Sequence, residues 1–507
     1  MNDSLQQPER PERKTSTTDH LLSLPHQQLR YTATAAWQRL SERDKPIAEM
    51  FYVAYLVEAE TGSRPLTFVF NGGPGAASAY LHMGALGPKR VYFDNHGELP
   101  KPPVQVVDNL ESWLSFTDLV FIDPIGTGFS RGLDVEQSTS KSSDKQLSNV
   151  EKSAEGHESE QPKEAKFWEV TRDLNALGDF IQQFLSHQKR WLSPIFIAGE
   201  SYGGFRVARL ARILQQDFGV GLSGAILISP ALEFSLLGGG DYSLTAWATV
   251  FPSLAAAAAH HGKARWARDS GDLQGHREES EKFARRTLLP LLAMGGTIAE
   301  DERQETYRAI ANFLGLSFEL VERHHGRIDL GTFSRELLRD QRRILGLYDA
   351  SITAIDPFPD RLRYEGSDPT LYGLNRLFTG AINSHLRDTL EVETDLTYHL
   401  LNFEVFKAWK YLLEGEWKQG FVGSVDDLRI GMTLNPYMKV YVVHGIFDLV
   451  TPYFASTHLA DLMKLDPEIR PNLISRQFHG GHMFYTWESS RQQWFSEMQE
   501  FYRSAIA

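Results

Sequence analysis

A short apolar run that turns sharply at Gly-x-Ser-x-Gly and continues as an amphipathic helix admits few folds. Residues 194–199 read PIFIAG, and Gly199-Glu200-Ser201-Tyr202-Gly203 completes the turn without a spacer. Strand, tight turn and helix in that order expose a serine oxygen at the end of a sheet. The flanking glycines fit, because side chains in so tight a turn would collide. The helix beyond, read over residues 205–215, aims its N-terminal amides at negative charge developing there. The plainer alternative, a Gly-rich turn with an incidental serine, loses weight in this context.

The strand pattern recurs along the chain. Residues 29–37, 50–57 and 66–70 alternate or run apolar and are rich in aromatic and β-branched residues. Further short runs lie at 118–123, 224–229 and 439–445. Helical stretches such as 167–185 and 205–215 separate some of them. Short buried strands divided by helices predict a mostly parallel sheet with helices on both faces. Residues 1–25 are polar and charged at the start and read as a disordered tail. Residues 26–233 and 428–507 read as the two halves of the sheet domain. Residues 134–164 are rich in Ser, Lys, Glu and Gln and read as a flexible charged loop. Between the halves, residues 234–427 show helical periodicity, as at 334–345 and 398–413, which predicts a large helical insertion.

Composition excludes several chemistries. Asp and Glu number 65 against 52 Lys and Arg, a formal net charge of −13, and no basic stripe interleaved with aromatics is present. A nucleic-acid partner is therefore not expected. The chain has no cysteine, so disulfides, thiolate metal sites and cysteine nucleophiles are ruled out. The uncharged run 242–259 approaches spanning length, but its Ala and Thr content and Pro252 predict a helix packed inside the protein, not a membrane span. No apolar leader opens the chain, and a cytoplasmic location is expected.

A serine hydroxyl needs a base, and the base needs an orienting acid. Downstream, 441–445 runs into a turn, and Asp448 lies just past its carboxyl end. The stretch from Arg476 to His482 ends in Gly480-Gly481-His482. Both candidates follow strand ends, where open α/β sheets place their sites. His479 precedes the glycines and is the weaker candidate for the base, and Asp461 and Asp466 read as solvated helix-face residues. His479 and His482 lack a third ligand at metal-binding spacing, and the pairs His260/His261 and His324/His325 read as surface or packing residues. Asn71-Gly72-Gly73-Pro74-Gly75 follows the strand 66–70 directly, so its amides can approach a substrate oxygen. It lacks the Lys-Ser/Thr ending of a phosphate loop.

With NGGPG (71–75), IDPIGTGFS (122–130), GESYGG (199–204), HGIFDLVTP (444–452) and GGHM (480–483) in one order, the chain resembles the serine carboxypeptidase family. The resemblance runs from about residue 30 to the end, apart from the charged loop and much of the insertion. It implies an α/β-hydrolase core with a helical cap and removal of single residues from peptide C-termini. By position it makes Ser201 the nucleophile, Asp448 the orienting acid and His482 the base. The backbone N–H groups of Gly73 and Tyr202 would form the oxyanion hole. Asn71, the Gly72 backbone and Glu200 would hold the substrate's terminal carboxylate, and Met483 would line the pocket for the departing residue. Glu200 can hydrogen-bond a carboxylate only while one of the two holds a proton, so peptide affinity should fall as pH rises. A local salt bridge is the competing role for that side chain.

Three positions depart from the family pattern. Ala76 stands where secreted relatives have Cys, Ala85 where they have a second Glu, and Ile446 where they have the first acid of Gly-Asp-x-Asp. The expected activity is serine-type carboxypeptidase hydrolysis through an acyl-enzyme, with peptides as substrates and no cofactor or metal. Two other functions stay open: an esterase or acyltransferase on the same scaffold, which Ala85 favours, and a catalytically silent binding protein.

Overall fold

Alternation along each strand decides which side chains meet which layer of helices. In the computed structural model, residues 13–25, 27–58, 64–133, 163–265, 272–361, 364–411 and 422–507 are described. Nine strands order the main sheet: β1 (Ser16–Leu24), β2 (Gln27–Glu42), β3 (Lys45–Val57), β4 (Leu66–Phe70), β5 (Asp118–Ile122), β6 (Ile195–Glu200), β7 (Gly224–Ile228), β8 (Lys439–Gly445) and β9 (Leu473–Phe478). Their spatial order is β1-β2-β3-β5-β4-β6-β7-β8-β9, with the short strand Arg131–Gly132 paired to β3. The first three strands and the β3–β5 pair are antiparallel. From β5 through β9 every neighbour is parallel.

One face of the sheet carries Val53, Val69, Phe121, Phe196, Ile226 and Val443 into a core closed by Trp494, Met498 and Phe501 of the last helix. The residues between them, including Ala54, Phe68, Val120, Ile197, Leu227 and Val442, face a second core. That core is closed by α1 (Val170–His187) and α2 (Tyr202–Gln216). Parallel strands buried on both faces read as continuous apolar runs, as 118–122 and 224–228 do.

A third apolar cluster lies within the inserted segment, around α3 (Leu244–His260), with Phe313, Val321 and Phe333. It also receives Ile446, Phe447 and Leu449 from the loop after β8. The insertion is divided between clusters. Its later helix α4 (Pro369–Ser384) packs Leu374, Phe378 and Ile382 into the first core, and Val405 joins the second. The uncharged run 242–259 lies almost wholly in α3, which is largely buried. Among the described residues, no helix is long and apolar enough to cross a membrane.

The structure corrects several sequence expectations. Residues 16–24, read as part of a disordered tail, form β1, which pairs with β2 over nine residues. The strand sits at the sheet edge with most side chains exposed or half-buried, where an apolar face is not required. Residues 334–345, read as one helix, hold the end of the helix Leu330–Glu336, a single helical turn at Arg339–Gln341 and the strand Arg343–Leu345. That strand pairs with Thr353–Ile355, so the insertion contains a hairpin as well as helices. Among the described residues of 398–413, only Phe403–Ala408 is helical. The charged loop expected at 134–164 falls outside the described residues, except that its last two belong to the helical turn Lys163–Phe167.

Candidate active site

Ser201 terminates β6 and precedes α2, and its backbone is held at φ 62° and ψ −123°. A non-glycine residue in that region costs about 1–3 kcal/mol and persists because its surroundings hold it. The Ser201 N–H donates to Ile228 O at 2.9 Å, and the Ser201 carbonyl accepts from Gly204 N and Ala231 N. The preceding side chain, Glu200, is buried. The strained turn therefore puts Ser201 at the carboxyl end of the sheet, before the amides that open α2.

The loop after β4 lies against this turn. A Cβ on Gly72 would sit 2.4 Å from Tyr202 N and 2.6 Å from Gly203 N. Those neighbours are backbone atoms and cannot swing aside, so only glycine lets the 71–75 loop approach the start of α2. The approach sets the Gly72 backbone, the residue before Gly73, against the Tyr202 and Gly203 amides. A buried ion pair fixes the loop from below: Arg206 of α2 meets Asp173 of α1 at 2.7 Å and donates from Nη1 to Asn71 O at 2.6 Å. The Tyr202 ring is buried under Arg206, and its hydroxyl accepts from Trp409 Nε1 at 3.1 Å.

Asp448 and His482 follow β8 and β9. His482 Nδ1 lies 2.7 Å from Asp448 Oδ2, and both side chains are buried. Asp448 Oδ1 accepts from the N–H groups of Val450 and Thr451, and the Thr451 hydroxyl stands 2.7 Å from Oδ2 and 2.9 Å from Ser229 O. Ser229, immediately after β7, donates its hydroxyl to His482 O at 2.7 Å and its N–H to Val443 O. Ser201 and His482 thus hang on adjacent residues, Ile228 and Ser229. Tyr348 O accepts from His482 N, and the Tyr348 ring packs edge-on against the imidazole, with centroids 5.2 Å apart. The other edge of the ring faces the residue before Ser201: His482 Nε2 is 3.9 Å from Glu200 Oε1.

Glu200 Oε2 accepts from Asn71 Nδ2 at 3.2 Å and from the Tyr485 hydroxyl at 2.7 Å. Burial pushes the Glu200 carboxyl up to about 7, against the opposing pull of His482 and these donors. For His482, burial disfavours the charged form, but Asp448, with a further contribution from Glu200, raises its pKa above the ordinary imidazole value. Met483 is buried and lines, with Tyr348, Leu99 and Ile352, a small space. Leu99 and Ile352 also border a wider cleft that reaches His96, His260 and Arg343.

The competing candidates are placed elsewhere. His479 stacks edge-on against Trp487 at 4.3 Å and contacts Phe447. Asp461 pairs with Arg285 at the surface, and Asp466 accepts from Glu468 N. No group of three or more metal-binding side chains occurs among the described residues. Sequence reading missed Thr451, Tyr348, Tyr485 and the Asp173–Arg206 pair. Thr451 had a usable signal, because Asp followed three residues later by Thr commonly closes a local turn. The others come from distant segments that only the fold brings together.

Comparison with known proteins follows the same lines. A serine carboxypeptidase family model matches residues 32–232. Serine carboxypeptidase-like 45 of Arabidopsis thaliana is 30% identical over 203 residues, covering 38% of this chain and 35% of that protein. A Caenorhabditis elegans serine carboxypeptidase is 30% identical over 169 residues, covering 32% of this chain and 26% of its own length. The chain thus matches about a third or less of the length of these relatives. In fold, it is similar to Kex1(delta)p, a prohormone-processing carboxypeptidase from Saccharomyces cerevisiae. That structure has a TM-score of 0.54 at 15% identity, over 93% of this chain and 91% of the yeast chain. With the sheet order, the strained serine and the acid–imidazole pair, these matches show a chain with the α/β-hydrolase fold that is similar to serine carboxypeptidases over residues 32–232.

Proposed function

We propose that the protein is a serine-type carboxypeptidase that releases C-terminal residues from peptides through an acyl-enzyme. The observation that carries this reading is Glu200, a buried carboxyl beside Ser201 that stays protonated up to about 7. A neutral carboxyl can donate to the terminal carboxylate of a peptide, whereas an ionised one repels it. Asn71 and the Gly72 backbone flank the same position. The geometry therefore favours a chain end over an internal peptide bond.

In the proposed reaction Ser201 attacks the last peptide carbonyl as His482 Nε2 takes its proton. Asp448 holds the Nδ1–H and stabilises the imidazolium. The oxyanion is received by the N–H groups of Gly73 and Tyr202, at the positive end of α2. His482 then passes the proton to the leaving amine. Water, deprotonated by the same imidazole, releases the shortened peptide. Met483 and Tyr348 would contact the departing side chain.

An N-blocked dipeptide, its C-terminal amide and its methyl ester, assayed side by side, test this reading. The free acid should show the highest kcat/KM below pH 7, and its advantage should shrink above that pH. Equal turnover of all three at every pH would leave an esterase or acyltransferase as the function. No covalent labelling by a fluorophosphonate probe would leave only a binding role.

A further inference from the structure

Glu200 can donate a proton to a ligand only from the oxygen that faces it, and the hydrogen bonds around the carboxyl select that oxygen. Leu81 N donates to Asn71 Oδ1 at 3.1 Å, which leaves Asn71 Nδ2 to donate to Glu200 Oε2. The Tyr485 hydroxyl is fully buried, and among the described residues its one acceptor is the same Oε2, at 2.7 Å. An oxygen that accepts from two donors is the carbonyl-like oxygen of a neutral carboxyl. The proton must then reside on Oε1, the oxygen that lies 3.9 Å from His482 Nε2.

We propose that Tyr485 is a positioning residue that, with Asn71, assigns the Glu200 proton to Oε1 and so aims it at the carboxylate of the substrate. The proposal rests on the carboxypeptidase reading of the same site and adds a residue to it. Nothing in the phenol need touch substrate.

The site is shaped to admit this ring. A Cβ on Gly84 would lie 2.8 Å from Tyr485 Cε2, so the missing side chain leaves the ring its space. Trp494 stacks on the other side with centroids 6.1 Å apart. Arg491 donates to Tyr485 O at 3.3 Å. The titratable groups around Glu200 are His482, Asp448, Tyr485, Tyr80 and Tyr348, from four separate segments. Burial keeps all three phenols neutral by raising them above their usual value. No Lys or Arg is ion-paired with Glu200 among the described residues. Proton placement on this carboxyl therefore falls to its hydrogen-bond donors.

The test is Tyr485→Phe, which keeps the ring and removes the donor. KM and kcat are measured from pH 5 to 9 for an N-blocked dipeptide and for its methyl ester. Without the phenol the proton can move to Oε2, so peptide KM on the acidic plateau should rise about tenfold, more than any change in the ester. The alkaline limb should also move to higher pH, because a hydrogen bond to the ionised carboxylate has been lost. A limb that does not move, or equal losses for peptide and ester, overturns the proposal. Glu200→Gln supplies a second reading that does not require Tyr485→Phe to fold. Its carbonyl oxygen should accept from Tyr485 and Asn71, turning the amide NH₂ toward substrate and giving a peptide KM that is flat with pH. A strongly pH-dependent peptide KM in that variant overturns the proposal as well. Failure of the carboxypeptidase reading would instead show as no preference for the free acid in the wild type.

Discussion

At the scale of single residues, the site contains two groups shifted from their ordinary pKa values: burial raises Glu200 against the pull of His482, and Asp448, helped by Glu200, raises His482 against burial. Glu200 is held neutral to about 7, and His482 is raised above the usual imidazole value. In the proposed reaction hydrolysis needs His482 neutral and peptide binding needs Glu200 protonated, so peptide turnover should follow a bell with closely spaced limbs. The two groups face each other, and the limbs belong to the pair. An ester without a free carboxylate should keep the acidic limb and lose the alkaline one, which pH profiles of kcat/KM will show. Ser201→Ala should lower kcat roughly 10³–10⁶-fold and leave the thermal midpoint no lower, since the strained backbone is retained or relaxed. A loss below about tenfold would exclude the serine as nucleophile. Thr451→Val should cost about 1–3 kcal/mol in chemical denaturation, because it removes the single hydroxyl proton within reach of both Asp448 Oδ2 and Ser229 O.

At the scale of elements, most of the sheet and the nucleophile turn were legible in sequence, and what escaped was decided by neighbours. Buried parallel strands declare themselves as apolar runs, and 66–70, 118–122, 195–200 and 224–228 did so. β1 did not, because an edge strand needs no apolar face. Residues 334–345 carry helical spacing, yet Arg343–Leu345 are extended, drawn into a hairpin by Thr353–Ile355. Tertiary pairing overrides local preference there. The proposed catalytic residues could be read because each follows a strand end with its own glycine or turn signal. Tyr485 could not, since its meaning depends on the space left at Gly84 and on a carboxyl nearly three hundred residues earlier. The contact between the 71–75 loop and α2 makes its own prediction. Gly72→Ala should lower stability by about 2–4 kcal/mol and abolish probe labelling, because the added carbon meets fixed backbone. Retained labelling with normal stability would mean the two segments are not in contact.

At the scale of the whole molecule, buried titratable groups of opposite kind set how stability responds to acid. His82 and His385 share the Tyr55 hydroxyl at 2.7 Å each, deep in the first core, and His444 lies under the Asp448 loop. Burial lowers all three, to about 3 for His385 and about 4 for His444. Their contribution is present above about 6.5 and is lost as pH falls toward those values. Burial raises Asp123 and Asp349 to about 6 and Glu200 to about 7. Their contribution is full below about 4 and is lost as pH rises through 6 to 7. Between about 4.5 and 6.5 the proton counts of these six groups nearly cancel. Among the described residues, seven further histidines, His260 at about 4 among them, are lowered by burial, against two further raised acids, Asp173 and Asp179. The unfolded chain therefore binds more protons in that window, and the thermal midpoint in calorimetry should rise with pH across it; a midpoint that falls would show that the buried acids dominate. The loop that bears Asp448 has a different kind of consequence. Its flanking residues Ile446, Phe447 and Leu449 are packed among the inserted helices and not in either face of the sheet. Evolution or engineering cannot exchange that upper layer as an independent module. A replacement has to reproduce the seat of Asp448 or arrive with its own, so a change among the inserted helices is also a change to the partner of His482.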